Sequence, residues 1–139
     1  MGPPPPSHHR ELTFPPGDAS AYAAGIGFTR RALADWHLTA AAESGGAVLV
    51  TAELLANAVQ HAGGPVSLSL DHHAGHLLIS VTDRSLLPPH MPDHRADSIG
   101  GHGLFIVDRT AHDWGSWCSP TDKTVWADLA LPPESGPDR

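Results

Sequence analysis

Glu53, Asn57 and His61 stand four residues apart in the stretch Glu53-Leu-Leu-Ala-Asn57-Ala-Val-Gln-His61-Ala. On an α-helix, at about 100° per residue, they form one polar row that winds by about 40° at each step. Leu55, Ala58, Val59 and Ala62 fall on the opposite side, where they can pack on a sheet. The pattern separates chemistry from core. Asparagine is a poor helix-interior residue because its side chain competes for backbone hydrogen bonds, so Asn57 asks for a reason. Periodicity alone describes an ordinary solvated face equally well.

Two further features give the row a context. Asp83 closes an alternating apolar segment, and a carboxylate buried there needs a donor. The exocyclic amine of adenine is such a donor, and an aspartate that merely caps the following turn is the plainer alternative. Gly100-Gly101-His102-Gly103 then leads straight into a periodic apolar stretch that begins at Leu104. Glycines allow close approach, and the first turn of a helix offers unpaired N–H groups and a partial positive charge. Together they make an anion site. Glycine also serves simply as a lead-in to a helix.

These groups must be held by elements that the sequence outlines. A short strand is expected over Glu11–Phe14. Pro15, Pro16 and Gly17 break it, and Asp18 or Ser20 then caps a helix running to about Trp36, with Ala24, Phe28, Ala32 and Trp36 on its buried face. The helix carrying the polar row runs from about Gly46 to Ala62 and is stopped by Gly63, Gly64 and Pro65. Val66, Leu68 and Leu70 alternate with polar residues, His72 to Gly75 make a turn, and Leu77, Ile79 and Val81 alternate again up to Asp83. That is a hairpin. Residues 84–99 carry three prolines and no period, and a loop of that length is uncommon without a function. A third helix places Leu104, Val107 and Ala111 on one face and ends near Asp113. Strands around Trp114–Cys118 and Thr124–Leu131 close the chain. Strands on one side and helices on the other make a two-layer α/β sandwich.

Composition narrows the classes of function. The 139 residues leave room for one domain, and 40% hydrophobic content is ordinary for a globular protein. Residues 1–9, with four consecutive prolines, read as a disordered tail, 10–132 as the domain, and 133–139 as a flexible tail. The net charge of −7, with no basic run, argues against nucleic acid as a partner. The single cysteine, Cys118, closes no intrachain disulfide, and no basic stretch followed by an apolar run marks a secretion signal. A cytoplasmic protein is expected. No run of roughly 18 apolar residues suggests a membrane span. Eleven histidines invite a metal site, yet no Cys/His cluster has the spacing of structural zinc.

Taken in order, four motifs carry a resemblance: Glu53-Leu-Leu-x-Asn57-Ala-x-x-His61-Ala, Asp83 at a strand end, Gly101-x-Gly103-Leu-x-Ile-Val, and Lys123-Thr124-Val-Trp. They resemble the asparagine box, the two glycine boxes and the terminal threonine strand of the GHKL ATPase superfamily, especially its stand-alone anti-sigma-factor serine/threonine kinases. The resemblance extends from the first helix through Leu131. It implies a Bergerat (histidine-kinase-like ATPase) fold, with a mixed sheet packed on three helices. It implies that Asn57 coordinates Mg²⁺ and that Glu53 is the general base or a water-positioning carboxylate. Asp83 would bind the adenine amine with Thr124 beside it through water, while Gly101, Gly103 and the Leu104 amide would contact phosphate. Residues 84–100 would be the ATP lid.

The implied ligands are ATP and Mg²⁺. The implied partners are a sigma factor and an anti-anti-sigma protein, and the resemblance allows a homodimer. A nucleotide-binding regulator with little transfer activity and a non-nucleotide interaction module are the competing readings. Two departures bear on them. Arg84, Ser85, Leu86 and Leu87 follow Asp83 where the family places glycines, which reshapes the pocket floor. Ile99 and His102 stand where many relatives place an arginine that would stabilise transition-state charge.

Overall fold

The structure is a computed structural model that describes residues 8–38, 46–85 and 102–131. The proline-rich start, residues 39–45, residues 86–101, which hold most of the expected lid and Gly101, and the segment from 132 onward lie outside the described residues.

Two glycines delimit the central helix. Gly46 (φ 77°) precedes it and Gly63 (φ 71°) follows it, both in the left-handed region that glycine enters without a Cβ clash. The Gly64 N–H returns to the Ala58 carbonyl at 3.1 Å and closes the helix end. The helix, α2 (Ala47–Ala62), packs between α1 (Ala21–Asp35) and α3 (His102–Thr110) and lies over the sheet.

Ser20, one of the two expected capping residues, stands at the N-cap of α1, but its side chain makes no capping hydrogen bond to the helix. The Asp18 carboxylate accepts hydrogen bonds from the Ser20 hydroxyl (2.6 Å) and the Ser20 N–H (2.9 Å), forming a turn ahead of the helix. Those bonds, the hydroxyl's first, hold the Asp18 carboxyl below its ordinary value. The buried face is in part as expected, with Ala32 buried and Phe28 and Trp36 packed against the core, but Ala24 is exposed, and Ala21, Gly25, Thr29 and Leu33 join the core. Gly25 lies so close to α2 that an added Cβ would stand 2.5 Å from Leu55 Cδ1. Thr29 tolerates burial because its hydroxyl donates to the Gly25 carbonyl at 2.9 Å, as Thr51 does to Ala47 in α2.

The sheet has the order β1 (His8–Thr13), β2 (Pro65–His73), β3 (His76–Asp83), β5 (Lys123–Ala130), β4 (Asp113–Cys118). β1 starts at His8, two residues before the expected start of the domain. Every described pairing is antiparallel, which corrects the expectation of a mixed sheet. The reason is topological. The crossover through α3 brings β4 in parallel to β3, but β5 inserts between them, so the parallel strands never touch. The β2–β3 turn places Ala74 (φ 52°) and Gly75 (φ 80°) both at positive φ, the geometry that matches the twist of two hairpin strands.

Alternation sorts the strands into two faces. Leu68, Leu70, Leu77, Ile79, Val81, Val125 and Leu129 are at most 2% exposed beneath the helices, and each such buried side chain contributes about 1.5–3 kcal/mol. The other face carries Ser67, Ser69, Ser80, Thr82 and Trp126, all half-buried. The two-layer α/β sandwich is as expected, with the helices on one face only.

Candidate functional site

Helix α2 presents its polar row from an otherwise apolar element. Glu53 is half-buried, and Asn57 is 7% exposed, within the packed layer and not on a solvated face. His61 lies in the last turn, and its side chain is outside the described residues. Two of the residues expected to pack on the sheet, Leu55 and Ala58, are buried, as is Leu54, and Leu55 lies against Gly25 of α1. Val59 is 48% exposed and departs from that expectation. Glu53 and Asn57 offer carboxylate and carboxamide oxygens on one side of one helix. Those are the hard donors that Mg²⁺ takes.

Asp83 ends β3 on the helix-covered face and is 1% exposed. One carboxylate oxygen accepts the Ser85 N–H at 2.8 Å, so the turn-capping role is real. The other lies 3.8 Å from the Lys123 ammonium, whose side chain is 2% exposed. Lys123 stands opposite Asp83 in the β3–β5 register. Lys123 belongs to the Lys123-Thr124-Val-Trp motif, but the motif alone assigns it neither a role nor a buried position. The signal was its parity. Lys123, Val125, Ala127 and Leu129 fall on one side of β5.

Thr124, one residue on, therefore points to the other face, where its hydroxyl pairs with the Thr82 hydroxyl at 2.8 Å. The structure does not bring it against Asp83, as the family resemblance implied. Of the glycine loop, Gly101 lies outside the described residues and Gly103 falls in the first turn of α3. Leu104 is 2% exposed and anchors that turn into the core. At the other end of α3, the Trp114 indole N–H donates to Asp108 at 2.8 Å and ties the helix to β4.

A buried amide on the central helix, a buried acid at a strand end and a glycine-led helix start all belong to the region of the chain that matches a known domain. Residues 16–128 match the histidine kinase-like ATPase domain. The chain belongs to this family. No curated protein matches the chain at a significant level. The match takes in α1 through most of β5, so Glu53, Asn57, Asp83, Gly101, Gly103, Leu104, Lys123 and Thr124 all lie inside the histidine kinase-like ATPase domain. β1 precedes it. Membership in an ATPase family implies ATP binding. Among the described residues no group of His, Cys, Asp and Glu could hold a metal by itself, and no helix is long and apolar enough to cross a membrane.

Proposed function

We propose that this chain binds Mg-ATP between α2, the Asp83 end of the sheet and the start of α3, and acts in the cytoplasm as an anti-sigma-factor serine/threonine kinase. The observation that carries the nucleotide reading is the burial of Asn57 to 7% in mid-helix, beside a half-buried Glu53. A solvated row would leave that amide in water, and a helix interior with no ligand to serve favours other residues. Asn57 would be the oxygen donor for Mg²⁺, which would neutralise charge on the phosphate oxygens.

Transfer places little covalent demand on the protein. The partner's serine oxygen forms a bond to the γ-phosphorus as the bond to the β–γ bridging oxygen breaks, leaving ADP and a phosphoserine. Glu53 accepts the hydroxyl proton. Asp83 holds the base amine, and the N–H groups from Gly101 to Leu104 hold phosphate. The partners are a sigma factor, which is sequestered, and an anti-anti-sigma protein, which carries the serine.

A second reading, a nucleotide-binding regulator with little transfer, is favoured by Ile99 and His102 where many relatives place an arginine. Loss of one such charge contact costs about 100- to 1000-fold in rate. Glu53→Gln separates the two readings. Under the kinase reading, ATP affinity stays within a few-fold while radiolabel transfer to an anti-anti-sigma partner falls by about 100-fold or more. Absence of transfer by the parent protein, with ATP binding intact, selects the regulator.

A further inference from the structure

β3 and β5 set Asp83 and Lys123 directly opposite one another on the helix-covered face of the sheet. The ammonium stands 3.8 Å from one carboxylate oxygen, and the two side chains are 2% and 1% exposed. A carboxylate so deeply buried requires compensation. Part of it comes from the chain's only lysine. The separation lies beyond the range of about 2.7–3.2 Å expected for a hydrogen bond, so the contact between Lys123 and that oxygen is Coulombic and not directional. A donor that arrives at bonding distance offers the same oxygen a stronger and oriented contact.

We propose that Lys123 is a built-in competitor for the carboxylate that reads the base. In the nucleotide-free protein its ammonium neutralises Asp83, and an entering 6-amino group must take the oxygen from it. Lys123 thereby lowers affinity for adenine nucleotides and sets how strongly binding depends on the 6-amino group. The proposal rests on the reading of Asp83 as the base-binding residue.

The test is Lys123→Met, which keeps the length of the side chain and removes its charge. Mg-ATP and Mg-ITP are titrated calorimetrically against parent and variant, because ITP carries a carbonyl in place of the 6-amine. ATP affinity rises about tenfold in the variant, the scale of one hydrogen bond to a charged acceptor, and ITP shows no such gain. Equal or weaker ATP binding by the folded variant, or the same gain for both nucleotides, overturns the proposal.

Removing one buried partner also destabilises the fold, so the rise in melting temperature on adding Mg-ATP is measured in parallel. It is larger in the variant than in the parent, and a variant that stays unfolded in saturating ATP contradicts the proposal. Lys123→Arg keeps the charge and adds donors, so its ATP affinity stays at or below that of the parent. A gain there contradicts it as well. If neither parent nor Lys123→Met binds either nucleotide, the base-binding role of Asp83 fails and takes this proposal with it. If the parent binds ATP and the variant gains nothing, only the role of Lys123 fails.

Discussion

Asp83 and Asp71 both pair with a basic side chain across neighbouring strands, in opposite surroundings. Asp71 meets His9 at 2.5 Å across β1 and β2, with side chains 42% and 56% exposed. Asp83 meets Lys123 across β3 and β5 with almost no exposure at all. Water screens the first pair, which settles into close hydrogen-bond geometry at little cost and for little gain. The second has lost its water, and a well-packed apolar pair would hold this end of the sheet at least as firmly. Charge retained where it is expensive points to use, and the helix-covered end of β3 is where the proposed site lies.

Breaking the buried pair is the largest test of this contrast. Asp83→Asn leaves the Lys123 ammonium buried against a neutral amide, and denaturant unfolding should show a loss of about 3–5 kcal/mol. The double variant Asp83→Leu with Lys123→Met should recover that loss in whole or in part while adenine binding is lost. A double variant as unstable as the single would show that the pair is structural. At the other extreme, Asp71→Asn should change stability by less than about 1 kcal/mol, and by less still in high salt. A change comparable to that of Asp83→Asn would erase the distinction between the two ends of the sheet.

Much of this arrangement could be read from residues alone, for physical reasons that also mark where the reading fails. The ends of α2 were legible because glycine at Gly46 and Gly63 is required by positive φ and not merely tolerated. The β2–β3 hairpin was legible because strict alternation admits one register between Leu68–Leu70 and Ile79–Val81. The face of α1 was legible only in part, because Gly25 and Thr29 carry no apolar label. Gly25 is buried for close approach to Leu55, and Thr29 is buried because its hydroxyl is satisfied within the helix.

The site followed the same rule. Asn57 and Asp83 stood out as polar residues in apolar settings, and both are buried. Lys123 did not, because its burial depends on a strand partner 40 residues earlier in the chain. Thr124 was carried by its place in a motif, while the strand's own parity turns its side chain to the opposite face from Asp83.

The central claim is that the polar row of α2 serves a nucleotide. Mg-ATP titrated calorimetrically against the parent and against Asn57→Ala tests it most directly, with and without Mg²⁺. Far-ultraviolet circular dichroism and a cooperative melt should show the variant folded, since Leu54, Leu55 and Ala58 still pack that helix. The parent should bind ATP in a Mg²⁺-dependent manner, and Asn57→Ala should abolish that dependent binding. Unchanged affinity in the folded variant, or a parent that binds no ATP at all, would contradict the account.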